Sequence, residues 1–411
     1  MPQNTLQLIT SNDEYLHAHI PWWRDVSADV RAQLRLEPLA VDGRCMVDVV
    51  VIGGGVAGLS AALGARAAGA EVLVLEATAG LGRGATGRNA GILSAGVNMG
   101  MANLDPRGDA ARFWPETTRV LLDLVAESRR AGSLLQANLT GSLSLAESAH
   151  AARELAREVK ARVALGVKAE LWSAEQVAER TGGRLNTRHI QRAMWLPDEG
   201  RIHPLTLLAH LARKARAVGV KIAGNAEVAW FAEQTPASGP ATWSLMLTSG
   251  QIIQARGLIN AVGPTAQPTA RIYALAFEAN LPDDFPLFWD ASPYTYADYR
   301  AGYGRLTVSG GRYGKVGGNR HEAGYYQRLS AGARHWLPEL TTQQPVYQWS
   351  VDLNVTADMV PNLRPLGEQA PGLAVEGLGA LGVLPGIVLG QRGGAHIAST
   401  LSEHGPLLRA G

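Results

Sequence analysis

The chain has 411 residues, 46% of them hydrophobic and 18% charged, with a formal net charge of +2. That balance describes a globular protein with room for two or three lobes and a sizeable core, and the absence of a long basic run excludes a dedicated nucleic-acid binder. Its one cysteine, Cys45, excludes an internal disulfide framework and the paired thiols of a disulfide reductase. Asp13 and Glu14 stand where a signal peptide would be basic or apolar. The longest uncharged stretch, Gly377 to Gly390, is too short and too rich in glycine to span a bilayer, so the expected setting is the cytoplasm, with no transmembrane segment.

Residues 1–46 form a leader without clear periodicity. Its one conspicuous feature, Pro21-Trp22-Trp23-Arg24, reads as an aromatic clasp on the body of the protein in preference to a substrate gate.

From Val47 the pattern sharpens. Val49-Val50-Val51-Ile52 has the length and β-branched content of a buried parallel strand. It runs into Gly53-Gly54-Gly55-Val56-Ala57-Gly58, a G-x-G-x-x-G. Gly53 allows the tight turn, Gly55 lets backbone approach a pyrophosphate, and Gly58 lets the next helix pack on the strand. That helix, expected over Leu59 to Ala68, points free N–H groups and its positive dipole end at the phosphates. A second strand, Glu71 to Leu75, ends at Glu76, eighteen residues past Gly58, followed by Ala77. An acid at that place accepts hydrogen bonds from a ribose diol and disfavours a 2′-phosphate.

A second glycine-rich loop follows, Gly82 to Gly91, with Gly84, Ala85, Thr86, Arg88, Asn89, Ala90 and Gly91 as its candidate ligands. A nicotinamide enzyme has no need of it, whereas FAD, which runs across the sheet, does. The loop resembles the G-A-S-G-R-N-G-G element of the D-amino-acid oxidase superfamily, in the branch of glycine oxidase, sarcosine oxidase and γ-glutamylputrescine oxidoreductase. Thr86 stands at the Ser/Thr position, and Arg88-Asn89-Ala90-Gly91 matches R-N-x-G.

The resemblance implies an α/β protein, α+β overall: a Rossmann-like FAD-binding domain with an inserted antiparallel-sheet substrate domain. The FAD-binding domain would take 47–103, 198–270 and 351–411, and the substrate domain 104–197 and 271–350. Helical spacing marks Arg112 to Ala131 and Glu147 to Leu165; Gly141 to Ala146 alternates like a strand. Ser173 to Gln176 fits a capping box, Arg192 to Leu196 a strand, and His203-Pro204 a helix start. Thr235 to Pro240 is a hairpin loop.

The family resemblance adds Val228 as a backbone contact to adenine, and Ala261 and Gly263 at a strand end passing close to FAD. In the last glycine loop, Gly377 to Gly382, backbone N–H groups of Gly379, Ala380, Leu381, Gly382 and Val383 would steady negative charge at the flavin. A helix is expected from Pro385. Asp298-Tyr299-Arg300 and Gly304 to Gly311 look like the family's Y-Y-R…D-G-R-L-x-x-G-G, with a spacer one residue shorter. Trp349 and Asn354 to Pro361 match its returning segment.

The implied reaction is oxidation of an amine or amino acid at its C–N bond, with O2 or another electron acceptor as co-substrate. Arg300 and Tyr299 are the candidate catalytic residues, with Tyr294 and Tyr296 near them, because a guanidinium fork suits a substrate carboxylate. His203 reads as a capping or packing residue and Lys315 as outside the motif of the oxygen-activating lysine. Three departures stand out. Leu378 and Leu381 replace side chains that relatives use, and Asp352-Leu353 lies where relatives commonly have glycine. Arg88 occupies the place of the histidine to which some relatives link flavin, and Cys45 precedes the fingerprint, so FAD is expected to be non-covalent. A competing class is a non-catalytic flavoprotein of this fold serving assembly or maturation. A flavin monooxygenase is disfavoured because Glu376-Gly377 lacks the aspartate of its G-D motif.

Overall fold

The computed structural model describes residues 13–40, 45–97, 99–263, 268–290, 297–313 and 322–403. The described residues begin with three short helices, α1 (Asp13–His19), α2 (Trp22–Asp25) and α3 (Ala28–Leu34). A β-α-β unit follows, β1 (Cys45–Ile52), α4 (Val56–Ala67) and β2 (Val72–Leu75). Next come β3 (Ile92–Leu93), α5 (Phe113–Ser128), β4 (Ala137–Leu139), β5 (Ser142–Ala146) and α6 (Ala149–Ala164). They lead to β6 (Glu170–Trp172), α7 (Ala174–Arg180), β7 (Arg192–Leu196), β8 (Gly200–Ile202) and α8 (Pro204–Ala217). The chain continues through β9 (Lys221–Ala223), β10 (Val228–Gln234), β11 (Thr242–Leu247) and β12 (Ile252–Asn260). Then come β13 (Ala270–Glu278), β14 (Leu287–Asp290), β15 (Ala297–Gly302), β16 (Arg305–Tyr313), α9 (Glu322–Trp336) and β17 (Tyr347–Leu353). It closes with β18 (Asn362–Pro365), β19 (Gly372–Glu376) and α10 (Val383–Glu403).

The first sheet runs β10-β11-β12-β1-β2-β9, with β19 also on β12 and β18 on β19. Its centre is parallel: β1 lies between β12 and β2, in register Val51↔Ile259 and Val51↔Val74. Val49, Val50 and Val51 have no accessible surface, as a strand covered on both faces requires. On one face α4 and α10 meet through small residues. A Cβ on Gly390 would fall 2.4 Å from the Ala57 carbonyl, and one on Gly394 2.0 Å from that of Ala61. The two backbones touch because nothing larger than glycine stands between them.

The second sheet runs β17-β13-β16-β15-β14-β5-β7-β6 and is antiparallel except between β14 and β5. Helix α9 lies on its outer face, where Tyr325 stacks on Tyr273 at 4.7 Å and Leu329, Ala333 and Trp336 join the apolar cluster. The inner face, with Ala274, Ala276, Tyr347 and Trp349, packs against the leader and α8. A third sheet, β3-β8-β4, bridges the two.

Local signals account for most boundaries. Ser173 and Gln176 form the reciprocal capping box at the start of α7, and Pro204 opens α8. Helices α4 and α10 begin a little earlier than expected, at Val56 and Val383, because each starts directly at its glycine turn. Among its described residues the leader has three helices where periodicity gave none; each is a turn or two long, too short for a repeat to show. Among the described residues no helix is long and apolar enough to cross a membrane.

Candidate functional site

The site is built where the parallel strands of the first sheet end. Gly53 sits at φ +101°, and a Cβ there would fall 2.8 Å from the Ala261 carbonyl. A Cβ on Gly58 would meet the Gly53 carbonyl at 1.9 Å, so α4 can start this close to β1 only with glycine in place. Gly55 precedes α4 in an extended conformation. Glu76, at the end of β2, accepts from Gly54 N at 2.9 Å, Thr78 N at 3.2 Å and Thr78 Oγ1 at 2.9 Å. It is half-buried and retains an acceptor site beyond these three. Ala77 beside it is exposed.

The two glycine loops lock together. Val56 N–H donates to Thr86 Oγ1 at 3.2 Å. Residues Ala85–Arg88 make one tight helical turn after Gly84, whose missing Cβ would meet nothing within 4 Å. Asn89 holds the turn from both ends, donating to Thr86 O at 2.5 Å and accepting from Gly91 N at 2.7 Å. Two indoles grip the loop from outside: Trp349 of β17 donates to Arg88 O at 2.7 Å, and Trp22 of α2 donates to Asn89 O at 2.8 Å. Ala90, next in the loop, is half-buried. Trp22 packs on the body as the aromatic clasp expected of the leader, but the partner of neither indole was legible in the sequence, since each contact joins segments far apart in the chain.

The last glycine loop closes the cleft. Gly377 and Gly379 take φ +70° and +61°, and Gly379 N–H donates to Asn354 O at 3.0 Å. The close approach of α10 to α4 sets Gly386 against Val56 and Ala57, which holds residues 379–383 next to the first glycine turn. Ala380 and Ala85 meet Ile272, Val351 and Leu353 of the second sheet in one apolar cluster. Leu381 and Gly382 are in the same turn as Ala380, and Val383 is buried at the helix start. Val228 begins β10 half-buried; Ala261 donates its N–H to Ile52 O at 2.9 Å, and Gly263 is exposed at φ +76°.

These residues fit FAD: Gly53 and Gly58 leave no room for a side chain, Gly84 borders open space, and Glu76 keeps an acceptor. The helix start at Gly55 and the turn before Val383 present two N-terminal dipole ends to one cleft.

The candidate catalytic pair divides. Tyr299 and Arg300 are neighbours on β15 and so face opposite ways. Tyr299 turns outward under α9, stacks on Phe288 at 4.4 Å and donates to Asp290 at 3.0 Å. Burial pushes its phenol pKa well up. Tyr299, one of the two candidate catalytic residues, is thus turned away from the cleft. Arg300 does face loop 82–91: its guanidinium carbon would lie 3.1 Å from a Cβ on Gly91. It is also fully enclosed, 4.5 Å from the Trp22 ring centre and 5.3 Å from that of Tyr303. Among the described residues its one hydrogen bond is from Nη2 to Ile202 O at 3.4 Å, and burial lowers its pKa to about 10.

His203 precedes α8 and gives it no side-chain cap; it lies edge-on to Trp22 at 5.6 Å and Tyr303 at 5.4 Å. Burial, with the Arg300 charge, lowers its pKa to about 3, so it is a neutral packing residue near pH 7. Asp352 points outward and forms a two-bond pair with Arg271, at 2.6 and 2.9 Å, while Leu353 faces the cleft. Tyr294, Tyr296 and Lys315 lie outside the described residues, as does the side chain of Cys45.

The family described as FAD dependent oxidoreductase (DAO) matches residues 48–392. Among solved structures, glycine oxidase from Geobacillus kaustophilus superposes with a TM-score of 0.72 at 21% identity, covering 89% of this chain and 100% of that one. L-proline dehydrogenase from P. horikoshii gives 0.68 at 19% identity, covering 89% and 96%. Iminodiacetate oxidase from Chelativorans sp. BNC1 gives 0.67 at 19% identity, covering 86% and 95%. No curated protein sequence matches.

Proposed function

The chain belongs to the DAO family of FAD-dependent oxidoreductases, and from that premise we propose that it oxidises the C–N bond of an amine or amino acid to an imine, which water hydrolyses. The observation that supports this reading is the meeting of three glycine loops with the inner face of the second sheet. Ala85 and Ala380 share one apolar cluster with Ile272, Val351 and Leu353 there. FAD, when bound, supplies the two-electron acceptor for the hydride of the amine-bearing carbon.

The chain's own residues do the rest. Glu76 and the N-terminal end of α4 hold the ribose and phosphates. The N–H groups of residues 379–383, with the dipole of α10, hold negative charge at the end of the cleft. Ile272, Val351 and Leu353 exclude water from the apolar wall. FAD is held without a covalent link. Arg300, closed beneath Trp22 and Tyr303, braces loop 82–91 and the leader and does not touch substrate.

Anaerobic mixing of the purified flavoprotein with a panel of amines, N-methyl amino acids and D-amino acids tests the reading. Bleaching of the flavin absorbance by at least one class is the expected result. A flavoprotein that no amine reduces is a binding protein of this fold, not an amine oxidoreductase.

A further inference from the structure

Five residues stand side by side across the inner face of the second sheet: Trp349, Ala274, Ser309, Asp298 and Trp289. Each is opposite the next in register. Residues opposite one another in an antiparallel pair share a face, so this is one row. Trp349 fixes which way the row looks, because its indole donates to Arg88 O in loop 82–91. Trp289, Trp349 and Ser309 are buried. Asp298 is half-buried, while the rest of β15 is buried.

A half-buried acid on a face packed against another layer is costly unless something balances it. The Asp298 carboxyl accepts the Ser309 hydroxyl, and among the described residues it has no ion pair within 4.0 Å. The charged groups around it are committed elsewhere. Asp290 lies on the outer face with Tyr299 and Trp336, and Arg300 on the inner face is directed at Ile202 O. Arg271 pairs with Asp352 and Glu322 on the outer face. Arg88 lies in the field of Tyr15 and Asp352. Burial, with Asp290 as a minor contributor, raises the Asp298 pKa to about 7. An unbalanced carboxyl beside an indole is the chemistry that takes up a cation from outside. The neighbouring arginine, by contrast, is closed to any carboxylate.

We propose that Asp298 is the counter-ion for the ammonium group of the substrate, and that it selects an amine whose positive charge no adjacent carboxylate balances. This rests on the amine-oxidising reading above and narrows it to alkylamines and diamines over amino acids.

The test uses three probes of one shape that carry no oxidisable C–H beside nitrogen: tert-butylammonium, tert-butanol and pivalate. Calorimetric titration of the holoenzyme near pH 8 is expected to show the ammonium bound roughly ten- to a hundredfold tighter than either isostere. Asp298→Asn keeps an acceptor for Ser309 and should bring the three to parity. Ammonium affinity should rise as pH climbs through about 7 in the wild type and stay flat in that variant. Ser309→Ala, which leaves the carboxyl in place but removes its donor, should keep the preference and move the pH midpoint upward. A wild type without the preference, or an Asp298→Asn protein that retains it, overturns the proposal. Bleaching of the flavin by amino acids without any ammonium preference would sink this inference and leave the function standing. Ammonium preference in a protein that no amine reduces would do the reverse.

Discussion

The glycine loops of the first sheet and the inner face of the second meet across one cleft, yet they are constrained in different ways. The loops are defined by atoms that are missing. Gly53, Gly58 and Gly87 each leave no space for a Cβ, and their carbonyl neighbours approach to within 2.8 Å or less of where it would be. The opposing face is defined by side chains: Trp349 reaching Arg88, Arg300 enclosed by two rings, Asp298 set beside Trp289. A wall made of backbone tolerates almost no substitution and suits a ligand that never changes. A wall made of side chains can be re-cut residue by residue without disturbing the strands beneath it. On the function proposed above, the constant ligand belongs to the one wall and the choice of substrate to the other.

The comparison breaks most readily at Gly58. Gly58→Ala forces a methyl against the Gly53 carbonyl, an overpacking cost of about 1–3 kcal/mol or more at the turn itself. The variant is expected to purify colourless with a lowered melting temperature. Gly324→Ala, on the exposed side of α9 away from the glycine loops, gives its methyl open space at an ordinary φ and should keep both colour and stability. A yellow, stable Gly58→Ala protein would mean that the loop is not made by its glycines.

On the opposing wall the larger effect belongs to Arg300. Arg300→Ala should open a cavity under Trp22 and lower stability by about 2–5 kcal/mol, on the scale of other large buried truncations. Arg300→Met fills the space without an unpaired charge and should be at least as stable as wild type in urea unfolding. Where Arg300 is a brace, turnover of amines with and without a carboxylate falls by the same factor in Arg300→Ala. A loss confined to carboxylate-bearing substrates would move Arg300 to the substrate and erase the assignment made here.

The smallest effect tests the strap between the walls. Trp22→Phe keeps a ring over Arg300 and deletes the bond to Asn89 O, which should cost about 0.5–1.5 kcal/mol and speed FAD loss on dilution. No change in either would show that the leader rests on loop 82–91 without holding it.

What could be read from the sequence follows the same division. Turns that demand glycine leave the demand in the letters, so Gly53, Gly58 and the Thr86 loop were legible, with Glu76 at its expected spacing. Capping at Ser173 and Pro204 was legible for the same reason: cap and helix are adjacent in the chain. The substrate wall was not. Tyr299 and Arg300 look alike as strand neighbours, and only the pairing of β15 with β16 decides that one goes outward and the other inward. Asp298 could be quoted as part of a motif without a role, because Ser309 and Trp289 become its neighbours only through register. The leader hid its helices in segments too short to show a period, and its partners lie up to 323 residues away.

That last distance bears on how the protein is made. Arg24 meets Tyr347, and Asp25 pairs with Arg305, while Trp22 and Asp13 reach Asn89 and Arg83. Helices α1 and α2 thus find one set of partners 67 to 70 residues on, while the other lies 280 to 323 residues further along the chain. Through that interval Trp22, Trp23 and Leu16, all buried in the finished fold, lack much of their cover. Long-range closure of this kind is slow and exposes apolar surface while it is pending. The strap that finishes the structure is therefore also a segment whose apolar side chains wait longest for their cover.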